Sequence, residues 1–282
     1  MANPTRTVFY VSDSTGITAE TFGHSLLSQF EHIEFNIIHL RYIDTPARAS
    51  EACQRIAAEV QAGKLRPLVF STLVAPALRE KMAQSGGVWF DLFETYIGPL
   101  QQELHQHPSQ AAGRTHGVVD DANYAARIDA VNYALRNDDG ISTRYYHQAD
   151  VILVGVSRTG KTPTCLYLAL HYGVRAANYP LTEEEHLVVG LPPALEDFAG
   201  KLFGLSISAE RLQRIRTQRQ PNSRYASLSQ CRSELRRAEE LFRLSRIPYL
   251  DISAMSVEEI STSILHQLGM QSDESAGKLS GA

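Results

Sequence analysis

The sequence predicts a two-part α/β protein. Three observations carry this. Short apolar runs alternate with helix-length stretches, as in a parallel sheet covered on both faces. One apolar run, Val151 to Val154, leads straight into Gly155-x-x-x-x-Gly160-Lys161-Thr162. At 282 residues, 43% of them hydrophobic, the chain is long enough for two domains with their own cores. Together they give an N-terminal parallel-sheet α/β domain followed by a P-loop kinase-like α/β domain.

In chain order, residues 8–11 are a short apolar strand. A helix is expected over 17–30, with Phe22, Leu26 and Phe30 on one face. Residues 35–40 read as a second strand. Residues 49–60 read as a helix turning Ala52, Cys53, Ile56 and Val60 inward. A third strand follows over 67–71 and a helix over 75–84. Residues 105–120, rich in His, Gln, Gly, Ser and Pro, read as a polar loop. A helix over 124–135 is closed by the turn Asn137-Asp138-Asp139-Gly140. The domain boundary is placed just before the strand at 151, giving domains over 1–147 and 148–270.

The second domain opens with that strand and a helix carrying Leu166, Leu168 and Leu170, with Pro163 in its first turn, where a missing N–H costs little. A strand over 173–178 ends at Tyr179-Pro180. Helices are expected over 209–219 and 228–244, and a short strand over 249–252. Ser256-x-x-Glu259 is a capping box opening a last helix, with Ile260, Ile264 and Leu268 on its apolar face. Residues 271–282 are polar and small, and are expected to be a disordered tail. The sequence shows no internal repeat.

The glycine loop is where chemistry is expected. Between a buried strand and a helix, Gly155, Val156, Ser157, Arg158, Thr159, Gly160, Lys161 and Thr162 form a phosphate-binding pattern. Its glycines let backbone N–H groups converge on an anion, and the helix N-terminus adds partial positive charge. Lys161 is positioned to reach terminal phosphates and Thr162 to hold Mg²⁺ through its hydroxyl. The bland alternative is an ordinary strand-turn-helix.

Three other groups invite the same chemistry. Ser12-Asp13-Ser14-Thr15-Gly16 follows the first strand, at the end of a parallel sheet where ligands sit; the alternative is a helix N-cap by Thr15 or Thr18. Arg211, Arg214, Arg216, Arg219 and Arg224 could clamp phosphate oxygens or form a solvated face. Asp13, Asp138, Asp139 and Asp251 are the candidate carboxylates for orienting Mg²⁺ or accepting a hydroxyl proton; Asp251, ending a short strand, has the position of a Walker-B acid.

Composition excludes other classes. A net charge of −4 implies no general nucleic-acid binding. No apolar run approaches the ~18 residues that span a bilayer, and the first ten residues lack a secretory apolar region, so no membrane partner is expected. Cys53, Cys165 and Cys231 are scattered, which fits the cytoplasm and argues against zinc or a disulfide framework. His105, His107 and His116 lack the cysteine or carboxylate that would complete a metal site.

The assembled blocks resemble the bifunctional regulatory proteins of phosphoenolpyruvate synthase and pyruvate phosphate dikinase. The blocks are residues 11–20, Asp138-Asp139-Gly140, 155–163, Ala177-Asn178-Tyr179-Pro180, Lys201-Leu202-Phe203-Gly204-Leu205 and Ser256-Val257-Glu258-Glu259-Ile260. Arg114-Thr115-His116-Gly117 and residues 222–227 are similar to the phosphoenolpyruvate synthase branch. Many relatives carry Ser at the position of Gly160 and His at that of Asn137, so that histidine is no obligatory catalyst in this chain.

The resemblance implies two activities on one protein substrate, phosphoenolpyruvate synthase. ADP-dependent phosphorylation of a threonine inactivates it. Removal of that phosphoryl group by inorganic phosphate, releasing pyrophosphate, reactivates it. ADP, inorganic phosphate and Mg²⁺ are the implied small partners, Lys161, Asp13, Asp139 and Asp251 the candidate catalytic residues, and a homodimer is compatible. The catalytic base and the target threonine stay open. So do the dikinase as target, a P-loop kinase for a small metabolite and a non-catalytic nucleotide sensor.

Overall fold

Thr5–Val11 (β1) begins the first sheet, and its alternating side chains seed two cores. The computed structural model describes residues 5–62, 65–109, 121–138, 140, 143–182 and 190–270. The chain divides into two units, Met1–Val118 and Val119–Ala282.

In the first unit, β1 is followed by α1 (Ile17–Leu27), β2 (Glu34–Leu40), α2 (Pro46–Gln61), β3 (Leu68–Ser71), α3 (Pro76–Ala83), β4 (Val88–Asp91) and α4 (Leu92–Leu104). The strands are parallel, in the order β2-β1-β3-β4. Phe9, Val11 and Val69 face Ala52 and Ile56 of α2 and Met82 of α3. Val8, Tyr10 and Phe70 face Ala19 and Leu27 of α1. The sheet is therefore covered on both sides.

α1 differs from expectation. It buries Ala19, Gly23 and Leu27, while Leu26 and Phe30 are exposed. The cause is close approach: a Cβ on Gly23 would lie 2.4 Å from the Tyr10 ring and 3.0 Å from that of Phe70. The helix turns its smallest residue, not its largest, toward an aromatic sheet face. β4 and α4 have no counterpart in the sequence reading. β4 is four residues long, and α4 buries no residue and contains Pro99, so neither carries a clean period.

The second unit contains α5 (Asp121–Arg136), β5 (Val151–Val156), α6 (Lys161–Tyr172), β6 (Ala176–Leu181), β7 (Leu202–Ser206), α7 (Ala209–Arg219), α8 (Leu228–Leu244), β8 (Tyr249–Asp251) and α9 (Val257–Gln267). Its strands are also parallel, in the order β6-β5-β7-β8. This unit begins well before residue 148, because α5 places Ala130, Tyr133 and Ala134 in the same core as β5. β6 runs on through Pro180, which an edge strand tolerates. β7 is a further strand not anticipated. Its Gly204 is required where a Cβ would meet the Phe242 ring and the Tyr249 Cβ, each at 2.7 Å. The expected capping box opens α9: Glu259 N–H donates to Ser256 Oγ at 3.3 Å and Ser256 N–H to Glu259 Oε2 at 2.8 Å.

The two sheets share one strand order, a likeness that residue identity does not display. In each, the chain leaves an internal first strand for one neighbour and returns to the other side. Loops then diverge at the carboxyl ends of β1 and β3, and of β5 and β7, the place where open parallel sheets hold ligands. Among the described residues no helix is long and apolar enough to cross a membrane.

Candidate functional site

β5 is buried along its whole length, so its loop has a rigid base. Gly155 lies against β7: a Cβ there would be 2.6 Å from the Leu205 carbonyl oxygen and 2.9 Å from Thr159 Oγ1. Arg158 and Gly160 take left-handed backbone, with φ of 76° and 70°. Gly160 caps α6 and, being glycine, brings no capping side chain of its own to the start of that helix. Thr159 Oγ1 donates to Val156 O at 3.0 Å and ties the loop together. Lys161, only 4% exposed, folds over the loop and donates to Gly155 O and Val156 O, both at 2.9 Å.

Beside the loop, three polar side chains converge from three elements. Thr162 Oγ1 donates to Asp138 Oδ1 at 2.9 Å. Asn178 Nδ2 donates to the same oxygen at 2.5 Å and to Thr162 Oγ1 at 3.1 Å. The backbone sets this up: Asn178 N–H donates to Asn137 O at 3.0 Å and Gly140 N–H to Asn178 O at 3.0 Å, clamping the turn after α5 onto β6. Asp138, Lys161, Thr162 and Asn178 line a cleft of about 650 Å³ together with apolar side chains, among them Ile215, Ile252 and Met255. Cys165, on the helix behind, is no nucleophile, because burial and then the Asp138 charge push its thiol well up.

The arginine segment separates into distinct roles. Arg211 and Arg219 line the cleft; Arg214 and Arg224 do not. Arg211 Nη1 also donates to Ser253 O. Arg216 is fully buried and pairs with Glu234 Oε2 at 2.7 Å. Burial alone would lower its pKa, but the hydrogen bond and charge of Glu234 prevail and raise it.

The other candidates lie elsewhere. Asp251 ends β8, two strands from β5, and its Oδ1 accepts from Ser253 N–H at 2.9 Å and Ser253 Oγ at 2.5 Å. The carboxylate meeting Thr162 is Asp138, not this strand-end acid. Asp139, His116 and the Arg114–Gly117 block lie outside the described residues. In the first unit, Asp13 Oδ2 accepts from Val74 N–H at 3.0 Å, linking the loop after β1 to the loop after β3. Neither Thr15 nor Thr18 caps α1; Gly16 does, with φ of 79° and no side-chain bond. Asn178 and Arg216 were not legible as partners of the loop, although Asn178 stood in a quoted block and Arg216 in the arginine run.

An α/β unit with a glycine-lysine-threonine loop at the mouth of a parallel sheet, and a carboxylate beside its threonine, has the geometry in which a helix N-terminus can hold an anion. Comparison with known proteins is more specific. The family model described as Kinase/pyrophosphorylase matches residues 8–265, and the chain belongs to that family. It is 51% identical over 266 residues to a protein of Pseudomonas putida (strain W619), covering 94% of this chain and 98% of that one. It is 52% identical over 266 residues to one of Pseudomonas aeruginosa (strain LESB58), covering 94% and 97%. A relative in Stutzerimonas stutzeri (strain A1501) is 51% identical over 268 residues, covering 94% and 98%. Each of the three bears the name "Putative phosphoenolpyruvate synthase regulatory protein".

Proposed function

We propose that this chain regulates phosphoenolpyruvate synthase in the cytoplasm by moving one phosphoryl group on and off a threonine of that enzyme. The donor is ADP, whose β-phosphoryl passes to the threonine oxygen and leaves AMP. In the reverse direction inorganic phosphate attacks the phosphothreonine, and pyrophosphate departs. Both steps are in-line transfers between a threonine oxygen and a phosphate oxygen, and one site serves both.

The observation that carries this reading is the meeting of Lys161, Thr162, Asp138 and Asn178 at the mouth of one cleft. The loop N–H groups and Lys161 hold the diphosphate and neutralise the charge that spreads over the transferred group. Thr162 Oγ and the Asp138 carboxylate are hard oxygen donors, the sparse set that Mg²⁺ takes when phosphates complete its shell. Bound there, the ion supplies further charge neutralisation. Asp138, fixed by two donors, also stands ready to accept the threonine proton, and Asn178 holds its orientation.

The test is incubation of the purified chain and ADP with the synthase and, separately, with the dikinase, followed by mass analysis of each target. The expected product is synthase carrying one phosphoryl group on threonine, lost again on addition of phosphate with release of pyrophosphate. Asp138→Asn is expected to lower both rates by about a hundredfold or more. Label appearing only in a small molecule supports a metabolite kinase instead, and no label in any product supports a sensor.

A further inference from the structure

Behind the phosphate loop lies a buried polar assembly that the phosphoryl-transfer reading does not use. Arg216 of α7 donates through Nη2 to the Ser157 carbonyl oxygen at 3.1 Å and to Glu234 Oε2 at 2.7 Å. Through Nη1 it donates to the Tyr225 carbonyl oxygen at 3.1 Å. Its guanidinium lies 4.0 Å from the centroid of the Tyr225 ring. Gln230 Nε2 holds the other Glu234 oxygen at 2.9 Å. Finally, the Tyr225 hydroxyl meets Ser157 Oγ at 2.9 Å. Ser157 itself faces the cleft.

A buried ion pair is a poor way to gain stability, since well-packed apolar residues of equal volume commonly do as well or better. This pair is instead placed where geometry matters. It grips the backbone at Ser157, one residue before the left-handed Arg158, where the loop changes direction. The two hydroxyls add a chemical consequence. Between them they have two protons and share one hydrogen bond, so one proton remains free. A cation against the ring face draws electron density from the phenol and makes it the better donor. With Tyr225 donating, Ser157 keeps its own proton and can turn it into the cleft, toward an anionic oxygen.

The geometry points to Tyr225 as a positioning residue: held by Arg216, it orients the Ser157 hydroxyl as a donor to a phosphate oxygen of the bound diphosphate. This rests on the proposed phosphate site and adds to it a specific side-chain donor at a loop position whose residue type the glycine-lysine-threonine pattern leaves open. Arg216 and Glu234 act through Tyr225 and the Ser157 carbonyl and touch no ligand.

The test is a double-mutant cycle read by calorimetric titration with ADP and, separately, with pyrophosphate. Tyr225→Phe keeps the ring against Arg216 and removes only the hydroxyl. It is expected to weaken both ligands about tenfold, as a lost hydrogen bond to a charged group does, with an unchanged unfolding midpoint. Ser157→Ala is expected to cost a similar factor. The double variant is expected to bind no more weakly than Ser157→Ala alone, because Tyr225 acts only through Ser157. Multiplied losses in the double variant, or Tyr225→Phe binding like wild type, overturn the positioning role while leaving the phosphate site standing. A wild-type chain that binds neither ADP nor pyrophosphate overturns the phosphate site itself, and this role with it. Should Tyr225→Phe fail to fold, Ser157→Ala decides: unchanged affinity for both ligands overturns the donor.

Discussion

Gly155→Ala tests the link between sheet packing and the phosphate loop. The added Cβ would stand 2.6 Å from the Leu205 carbonyl oxygen, short of an ordinary 3.4 Å contact by roughly 0.8 Å. The obstacle is backbone of the neighbouring strand β7, so no rotamer change relieves it. Thr159 Oγ1, at 2.9 Å from the same Cβ, is pinned by its bond to Val156 O and cannot give way cheaply. β5 must therefore shift away from β7 at the point where the loop begins. Overpacking of this kind costs about 1–3 kcal/mol. For a unit of this size 2 kcal/mol lowers the unfolding midpoint by roughly 4–8 °C. The same shift displaces the Gly155 carbonyl that holds Lys161, so ADP affinity falls as well. Differential scanning calorimetry and ADP titration of one preparation read both effects. A variant with a wild-type midpoint and wild-type affinity would refute the claim that close approach of β5 and β7 sets the loop.

Other outcomes follow from the same geometry. Arg211→Ala and Arg219→Ala are expected to weaken ADP binding and reduce its salt dependence, whereas Arg214→Ala leaves both unchanged; titrations at two salt concentrations check this. Asp13→Ala removes the acceptor for Val74 N–H and is expected to impair transfer to the protein substrate while ADP affinity stays within about twofold, measured by calorimetry beside a transfer assay. Tyr133, which donates to Tyr145 O at 2.9 Å, has its pKa pushed up to about 12, chiefly by burial. Its folded pKa lies above the unfolded value near 10, so its contribution is complete below about pH 10 and is lost as pH rises toward 12. Denaturant titrations across that window are expected to lose about 2–3 kcal/mol, and Tyr133→Phe is expected to flatten part of the fall.

What the sequence made legible was what local physics decides. β5 announces itself because four apolar residues run into a glycine loop, and α9 because a serine and a glutamate at capping-box spacing precede an apolar face. The strands β1, β2 and β3 are similarly local. β7 was hidden because its central Gly204 answers to Phe242 and Tyr249, residues far along the chain. The buried face of α1 was misread because Gly23 faces the sheet for lack of room, which hydrophobicity does not encode. The site shows the same division. The loop residues 155–162 are contiguous and were read directly. Asp138 and Asn178 become neighbours of Thr162 only when the turn after α5 pairs with β6. Arg216 read as one of five arginines that could clamp phosphate oxygens or face solvent, and only tertiary packing turns it into a buried strut beside Glu234.

The central claim is that one loop serves both phosphoryl transfers, and Lys161→Ala tests it most directly. Lys161 is a charged donor on the loop, and loss of such a contact in the transition state costs on the order of 3 kcal/mol, roughly a hundredfold in rate. With the folded variant and phosphoenolpyruvate synthase as substrate, ADP-dependent phosphorylation and phosphate-dependent pyrophosphate release are measured side by side. The account predicts that both rates fall by about a hundredfold together, and that AMP competes with inorganic phosphate in the wild-type chain. Loss of phosphorylation with pyrophosphate release at the wild-type rate would contradict it.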